Sequence, residues 1–193
     1  RDFRHRIVPE GDSLSDCSRA LEAARAEDPS FVAGYVPDCD GDRGNLVIWD
    51  EAQSRARVLG AQEVFALACV AESAQLLREG RGGKAAIAVN DATSLRIEAL
   101  GRSLGVEVRR AETGEANVVG LAEGLRAEGF RVRILGEGSN GGNITEPAEV
   151  RDPLATICAL LKLLLLRGRP GQPGQKRDLA DMGLFELWLE RTG

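Results

Sequence analysis

Apolar residues along the chain follow two rhythms. Over 14–27, Leu14, Cys17, Leu21 and Ala24 recur at helical spacing, which predicts a helix ended by Asp28-Pro29. The apolar runs FVAGYV (31–36) and NLVIW (45–49) read as buried strands. Residues 50–59 carry neither rhythm and read as a polar hinge between domains. Beyond them helices and strands alternate. Helix 61–79 has Val64, Leu67, Ala71, Ala74 and Leu77 on one face, and strand 85–89 follows. Helix 93–104 stops at Gly105, before strand 106–110. Helix 115–128 turns Val118, Leu121, Ala122 and Leu125 inward, before strand 131–135. The glycine-rich stretch GEGSNGGN (136–143) reads as a loop. Asp152-Pro153 opens a long helix, with Asp as cap, Pro at the first position, and a stripe of Leu154, Ile157, Cys158, Leu161, Leu164 and Leu165. A Gly/Pro linker, RGRPGQPGQ, and a short helix over 178–191 complete the chain.

This alternation implies an α/β protein. We expect a layered α/β domain with a mixed, largely parallel sheet between helices, plus part of a second similar domain. The expected divisions are 1–57, 58–169 and 170–193, the last holding the linker and the short helix.

Composition narrows the function. Hydrophobic residues make up 43% and charged residues 28% of 193, an ordinary soluble balance. A net charge of −5 argues against a nucleic-acid binder, which would show a basic face. Of the four cysteines, Cys17, Cys69 and Cys158 lie in apolar, helix-like settings and read as core; Cys39 lies in a turn. No CxxC occurs, so a reduced, cytoplasmic chain is the simplest reading. His5, the only histidine, stands in a charged segment, which leaves histidine-base catalysis without a residue. The most apolar run, 154–166, is too short for a bilayer and contains Lys162, so no membrane partner is expected. The first residue is Arg1, from which we expect a processed chain or a piece of a longer protein.

The chemistry concentrates in the turn DCDGDR. Asp38, Asp40 and Asp42 stand at alternate positions between two strand-like runs. Carboxylates so close repel one another unless a cation sits among them. Hard oxygen donors suit Mg²⁺ or Ca²⁺, and open coordination positions favour Mg²⁺ holding a phosphate oxygen. Arg43 would contact a phosphate or an aspartate as a fork-shaped donor, and Gly41 and Gly44 free the turn. The competing reading is a solvated acidic turn. An EF-hand fits poorly, because its glycine position holds Arg43 and its twelfth holds Trp49. Lys84 after GRGG misses the P-loop spacing, and Arg109 and Arg110 read as a solvated strand edge.

The segment DCDGDRGNLV resembles the metal loop of the α-D-phosphohexomutases, the phosphoglucomutase and phosphomannomutase superfamily. Its pattern, Asp-x-Asp-x-Asp-Arg after a strand, is matched by Asp38, Asp40, Asp42 and Arg43. RAETGEANVV (110–119), with Thr113 and Gly114, resembles the family's short Thr-Gly loop. GEGSNGGNI (136–144) resembles its sugar-recognition loop, where Glu137 and Ser139 fall on the residues that contact sugar hydroxyls. Asn140 stands as an extra residue, and no histidine follows Gly141 and Gly142. RDPLATICALLKLL resembles the helix beyond. The likeness spans about residues 7–170.

It implies that 1–57 is the end of a metal-binding second domain and 58–169 a sugar-recognition third domain. It further implies an intramolecular phosphotransferase that moves a phosphoryl group between the 1- and 6-positions of a hexose phosphate, using a phosphoserine and Mg²⁺. Asp38, Asp40 and Asp42 would be metal ligands, Arg43 phosphate support, and Glu137, Ser139, Thr113 and Gly114 substrate-binding. The serine motif is not in this sequence, so no catalytic nucleophile is assigned here. The chain is expected to be inactive alone and to work with the missing domains of its own polypeptide. Two rivals stand beside this reading: a haloacid-dehalogenase-like Mg²⁺ phosphatase, and a non-catalytic α/β binding domain.

Overall fold

The computed structural model describes residues 10–50, 53–80, 83–139 and 141–165. The expected linker, the expected helix over 178–191, and His5 lie outside the described residues, as does Asn140.

Two sheets organise the chain. A 3-10 turn at Gly11–Leu14 leads into α1 (Ser15–Glu27), whose Leu14–Leu21 side covers the first sheet. That sheet is antiparallel, ordered β1 (Ala33–Pro37), β2 (Gly44–Asp50), β3 (Arg55–Val58). β3 corrects the expectation of an irregular hinge over 50–59. Its RARV sequence alternates charged and apolar residues, which suits an edge strand whose outer face meets water.

The second sheet, ordered β5-β4-β6-β7, comprises β4 (Ala85–Asn90), β5 (Glu107–Ala111), β6 (Arg131–Glu137) and β7 (Gly142–Thr145). β4 pairs parallel with β5 and β6, while β7 runs antiparallel to β6. The domain is therefore layered α/β with a mixed, largely parallel sheet between helices. Every residue of β4 is buried, as a central parallel strand requires. β7 corrects the reading of 136–143 as a plain loop: Glu137 ends β6, and Gly142 pairs with it across a tight return.

On one side α2 (Ala61–Arg78) is buried nearly all round among β2, the second sheet, α3 (Arg96–Leu104) and α5 (Pro153–Leu165). On the other, α4 (Glu115–Ala127) buries Val118, Ala122 and Leu125 against β4 and β6. Gly105 at φ +68° ends α3 as its position predicted. α3 starts at Arg96, later than the expected 93, because Thr93 stays in a turn and gives its hydroxyl hydrogen to Asn90. Asp152 caps α5, accepting the Leu154 amide at 2.8 Å.

The apolar stripe expected on α5 is corrected. Leu154, Cys158 and Leu161 are exposed, and the buried face is Thr156, Ala159, Leu160 and Leu163. The helix is apolar around most of its circumference, so periodicity alone had several solutions. The buried Thr156 hydroxyl accepts from Asn143 Nδ2 at 2.7 Å, one of the contacts that fix this face inward. Cys158 is thus no core residue, whereas Cys69 is fully buried and Cys17 partly so. Among the described residues no helix is long and apolar enough to cross a membrane.

Gly136 keeps β6 and β7 in close contact. A Cβ there would run into the Gly142 carbonyl and lie 2.9 Å from Asn143 Cα. Backbone cannot yield as a flexible side chain can. Gly136→Ala is expected to destabilise the fold by about 1–3 kcal/mol, read as a lower urea midpoint.

Candidate functional site

The turn 38–43 joins β1 to β2, and the Asp38 amide donates to the Arg43 carbonyl at 2.9 Å to close it. Gly41 at φ +73° takes the left-handed step. Asp38 is buried and serves as the turn's hub. Its Oδ1 accepts the amides of Asp42 and Arg43, both at 3.1 Å, and its Oδ2 accepts Arg43 Nε at 2.8 Å. Arg43 therefore holds aspartates, one of the two roles foreseen for it, with a second contact to Asp42 Oδ1 at 3.2 Å.

Carboxylate oxygens of Asp38, Asp40 and Asp42 lie within 4.8 Å of one another. The crowding shows in their acidities. Burial works to raise the Asp38 carboxyl, but the Arg43 amide and guanidinium, helped by Asp42, outweigh it and hold it below the usual range. Asp42 goes the other way. Burial, and then the like charges of Asp38 and Asp40, lift it against the pull of Arg151. Three convergent hard oxygens with mutual repulsion fit a hard divalent cation by the chemistry of the donor set.

The second expected loop lies beside this turn. A Cβ built on Gly141 would sit 3.6 Å from the Gly44 carbonyl, so the β6–β7 return abuts the start of β2. Glu137, at the end of β6, is buried. Its Oε1 accepts the Gly114 amide at 3.0 Å and Asn90 Nδ2 at 2.9 Å. The expected Thr-Gly loop and Glu137 are thus brought together, through Gly114. Thr113 is exposed, its carbonyl accepting Asn117 Nδ2 at 3.2 Å, and Ser139 is exposed beyond Glu137.

Sequence reasoning missed the residues behind Glu137. Asn90 is fully buried; its Oδ1 accepts the Thr93 hydroxyl at 2.7 Å, and Thr93 Oγ1 accepts the Gly138 amide at 3.0 Å. Both Glu137 and Gly138 are therefore tied to one turn. Arg110, read from sequence as a solvated edge residue, braces that turn: its Nη1 donates to the Asn90 and Thr93 carbonyls at 2.9 and 2.8 Å. The rest of its fork grips Glu98. Burial opposes the Glu98 charge, yet the Arg110 hydrogen bonds prevail and hold that carboxyl low. One signal was available: an asparagine ending an otherwise apolar central strand must find partners when buried.

Arg151, just before the α5 cap, was also missed. Its Nη2 is 3.1 Å from Asp42 Oδ2 and its Nε 2.6 Å from Glu115 Oε2, at the start of α4. Arg151, Glu115, Glu137, Gly136 and Gly142 line a small cleft, with Val118, Leu135 and Ile144 at its floor. Lys84 serves the fold rather than a ligand. Its ammonium donates to the Glu128 carbonyl at 2.5 Å and lies 4.4 Å from the Phe130 ring centre.

Residues 63–178 match the model of phosphoglucomutase/phosphomannomutase, alpha/beta/alpha domain III. A "Probable phosphoglucosamine mutase" of Methanopyrus kandleri is 29% identical over 163 residues, covering 84% of this chain and 31% of that protein. The crystal structure of the Paramecium phosphoglucomutase pp63/parafusin shares the fold at TM-score 0.63 and 17% identity, covering 97% of this chain and 30% of that one. A phosphoglucomutase/phosphomannomutase family protein from Burkholderia thailandensis does so at 0.57 and 22%, covering 79% and 28%. The chain spans under a third of the length of each of these relatives.

Proposed function

The chain belongs to the phosphoglucomutase/phosphomannomutase family, and from that premise we propose that it supplies the cation-holding and sugar-recognising parts of a phosphohexomutase. The phosphatase alternative gives way to the family match. The whole reaction in this reading is transfer of a phosphoryl group between the 1- and 6-positions of a hexose phosphate. The phosphoserine this reaction requires is not assigned to any of these 193 residues, and no turnover is expected of the chain alone. In domain terms, 1–57 acts as the end of the metal-binding unit and 58–169 as the sugar-recognition unit.

The observation that carries the proposal is the convergence of Asp38, Asp40 and Asp42 oxygens within 4.8 Å, next to the loop that holds Glu137. Asp38, Asp40 and Asp42 would hold Mg²⁺. When bound, that ion supplies positive charge to a transferring phosphoryl group. Arg43 keeps the turn closed by holding Asp38 and Asp42. Glu137 accepts hydroxyl hydrogens of the sugar, and its carboxylate is held in place by Asn90 and Gly114 at Oε1. Ser139 and Thr113, both exposed at the loop tips, add adaptable hydrogen bonds. Such positioning suits a sugar that must be read in two orientations.

Asp40 is the exposed member of the three, so neutralising it leaves the fold in place. Calorimetric titration with MgCl₂ should show binding to the chain, weakened at least about tenfold in Asp40→Asn. Equal binding by both proteins would remove the aspartates from the site.

A further inference from the structure

Arg151 belongs to two places at once. One edge of its guanidinium lies 3.1 Å from Asp42 Oδ2, and its Nε lies 2.6 Å from Glu115 Oε2. The same side chain lines the cleft that Glu137 lines. Among the described residues no other lysine or arginine lines it. A guanidinium offers its donors as a planar fork matched to carboxylate or phosphate oxygens. A carboxylate oxygen that ligates a divalent cation is a poor acceptor for a cationic donor beside it, because the two positive charges repel.

We propose that Arg151 and the divalent cation compete for Asp42, and that the guanidinium edge so released binds the phosphate of a sugar phosphate lying over the loop of Glu137. The inference rests on the reading of the aspartate turn given above and adds to it a residue and a coupling. Glu115 keeps the guanidinium at the cleft when its Asp42 edge is lost. Arg43 does not share this role, since its Nε is committed to Asp38 and Asp42 within the turn.

The proposal predicts effects of opposite sign from one substitution. Calorimetry is run with MgCl₂, and with glucose 6-phosphate in the presence of saturating Mg²⁺. Arg151→Gln should bind Mg²⁺ about fivefold tighter, the upper range for a partly exposed ion pair. The same variant should bind glucose 6-phosphate more weakly than the unaltered chain. A residue that merely held the fold together would weaken both. Arg109→Gln removes the same charge from an exposed pair with Glu107 on β5 and should change neither.

Mg²⁺ binding that is unchanged or weaker in Arg151→Gln, with normal binding by the unaltered chain, overturns the inference and leaves the cation reading standing. No Mg²⁺ binding by either protein overturns both. Unaltered glucose 6-phosphate binding overturns the phosphate role. If Arg151→Gln does not fold, Glu115→Gln serves instead. With its anchor gone the guanidinium rests on Asp42 alone, so Mg²⁺ binding should weaken; unchanged or tighter binding contradicts the competition.

Discussion

Replacing Arg133 and Lys162 together by methionine is expected to destabilise the protein by about 3–5 kcal/mol, the cost of leaving a buried carboxylate without its cations. Glu72 on α2 has only 1% of its side chain exposed. Its Oε2 receives Arg133 from β6, and its Oε1 receives Lys162 Nζ from α5 at 2.5 Å. One carboxylate thus ties a helix to the sheet and to a second helix. The cations stand differently, with 18% and 30% of their side chains exposed, so each reaches water without the acid. Glu72→Leu should therefore cost less than the double methionine variant, because it removes the deepest charge and leaves the shallow ones solvated. Urea unfolding of the two variants tests this order. A larger loss in Glu72→Leu would show that the attraction, not the desolvation of Glu72, dominates.

Asn90→Ala is expected to cost about 2–4 kcal/mol and to abolish measurable hexose phosphate binding. The side chain is fully buried and serves two partners, donating to Glu137 and accepting from Thr93. Truncation strips both at once. Glu137 then keeps only the Gly114 amide among these donors, and the Thr93 hydroxyl loses its acceptor while still accepting Gly138. Thr93→Val leaves the Asn90–Glu137 bond in place and should cost less, about 1–2 kcal/mol. Unfolding curves give the stability, and titration with glucose 6-phosphate gives the binding. Normal binding by a folded Asn90→Ala protein would mean that Glu137 needs no such support.

How much of this was legible in the chain follows from which residues act locally. The stripes of α1 and α4 and the apolar runs of β2, β4 and β6 are local patterns, and they read correctly. The clustering of the three aspartates was legible for the same reason, since alternate carboxylates between two strands are a feature of one short turn. α2 is buried nearly all round and not on one face alone, and β1, expected over 31–36 as a buried strand, is a half-buried edge strand with Phe31 exposed. β3 was hidden because RARV is a short edge strand, known only by its partner β2. β7 was hidden because Gly142 and Asn143 have weak strand preference and are held by β6 across the sheet. The α5 face was misjudged because leucines surround the helix, and partners distant in sequence choose among them: α2, the Thr156–Asn143 bond and the Lys162–Glu72 pair. Asn90 and Thr93 matter through Glu137 and Gly138, 47 and 45 positions away in the chain. Arg151 reaches Asp42 from the far side of the second sheet's sequence. Such links exist only once the sheets have formed.

Substitution of Mn²⁺ for Mg²⁺, followed by amide NMR, reaches the central claim most directly. Paramagnetic broadening should begin at residues 38–43, extend next to Arg151 and to the Gly141–Gly142 return, and reverse when excess Mg²⁺ is added. Broadening that starts elsewhere on the chain, or that Mg²⁺ fails to reverse, would contradict a divalent cation held by Asp38, Asp40 and Asp42.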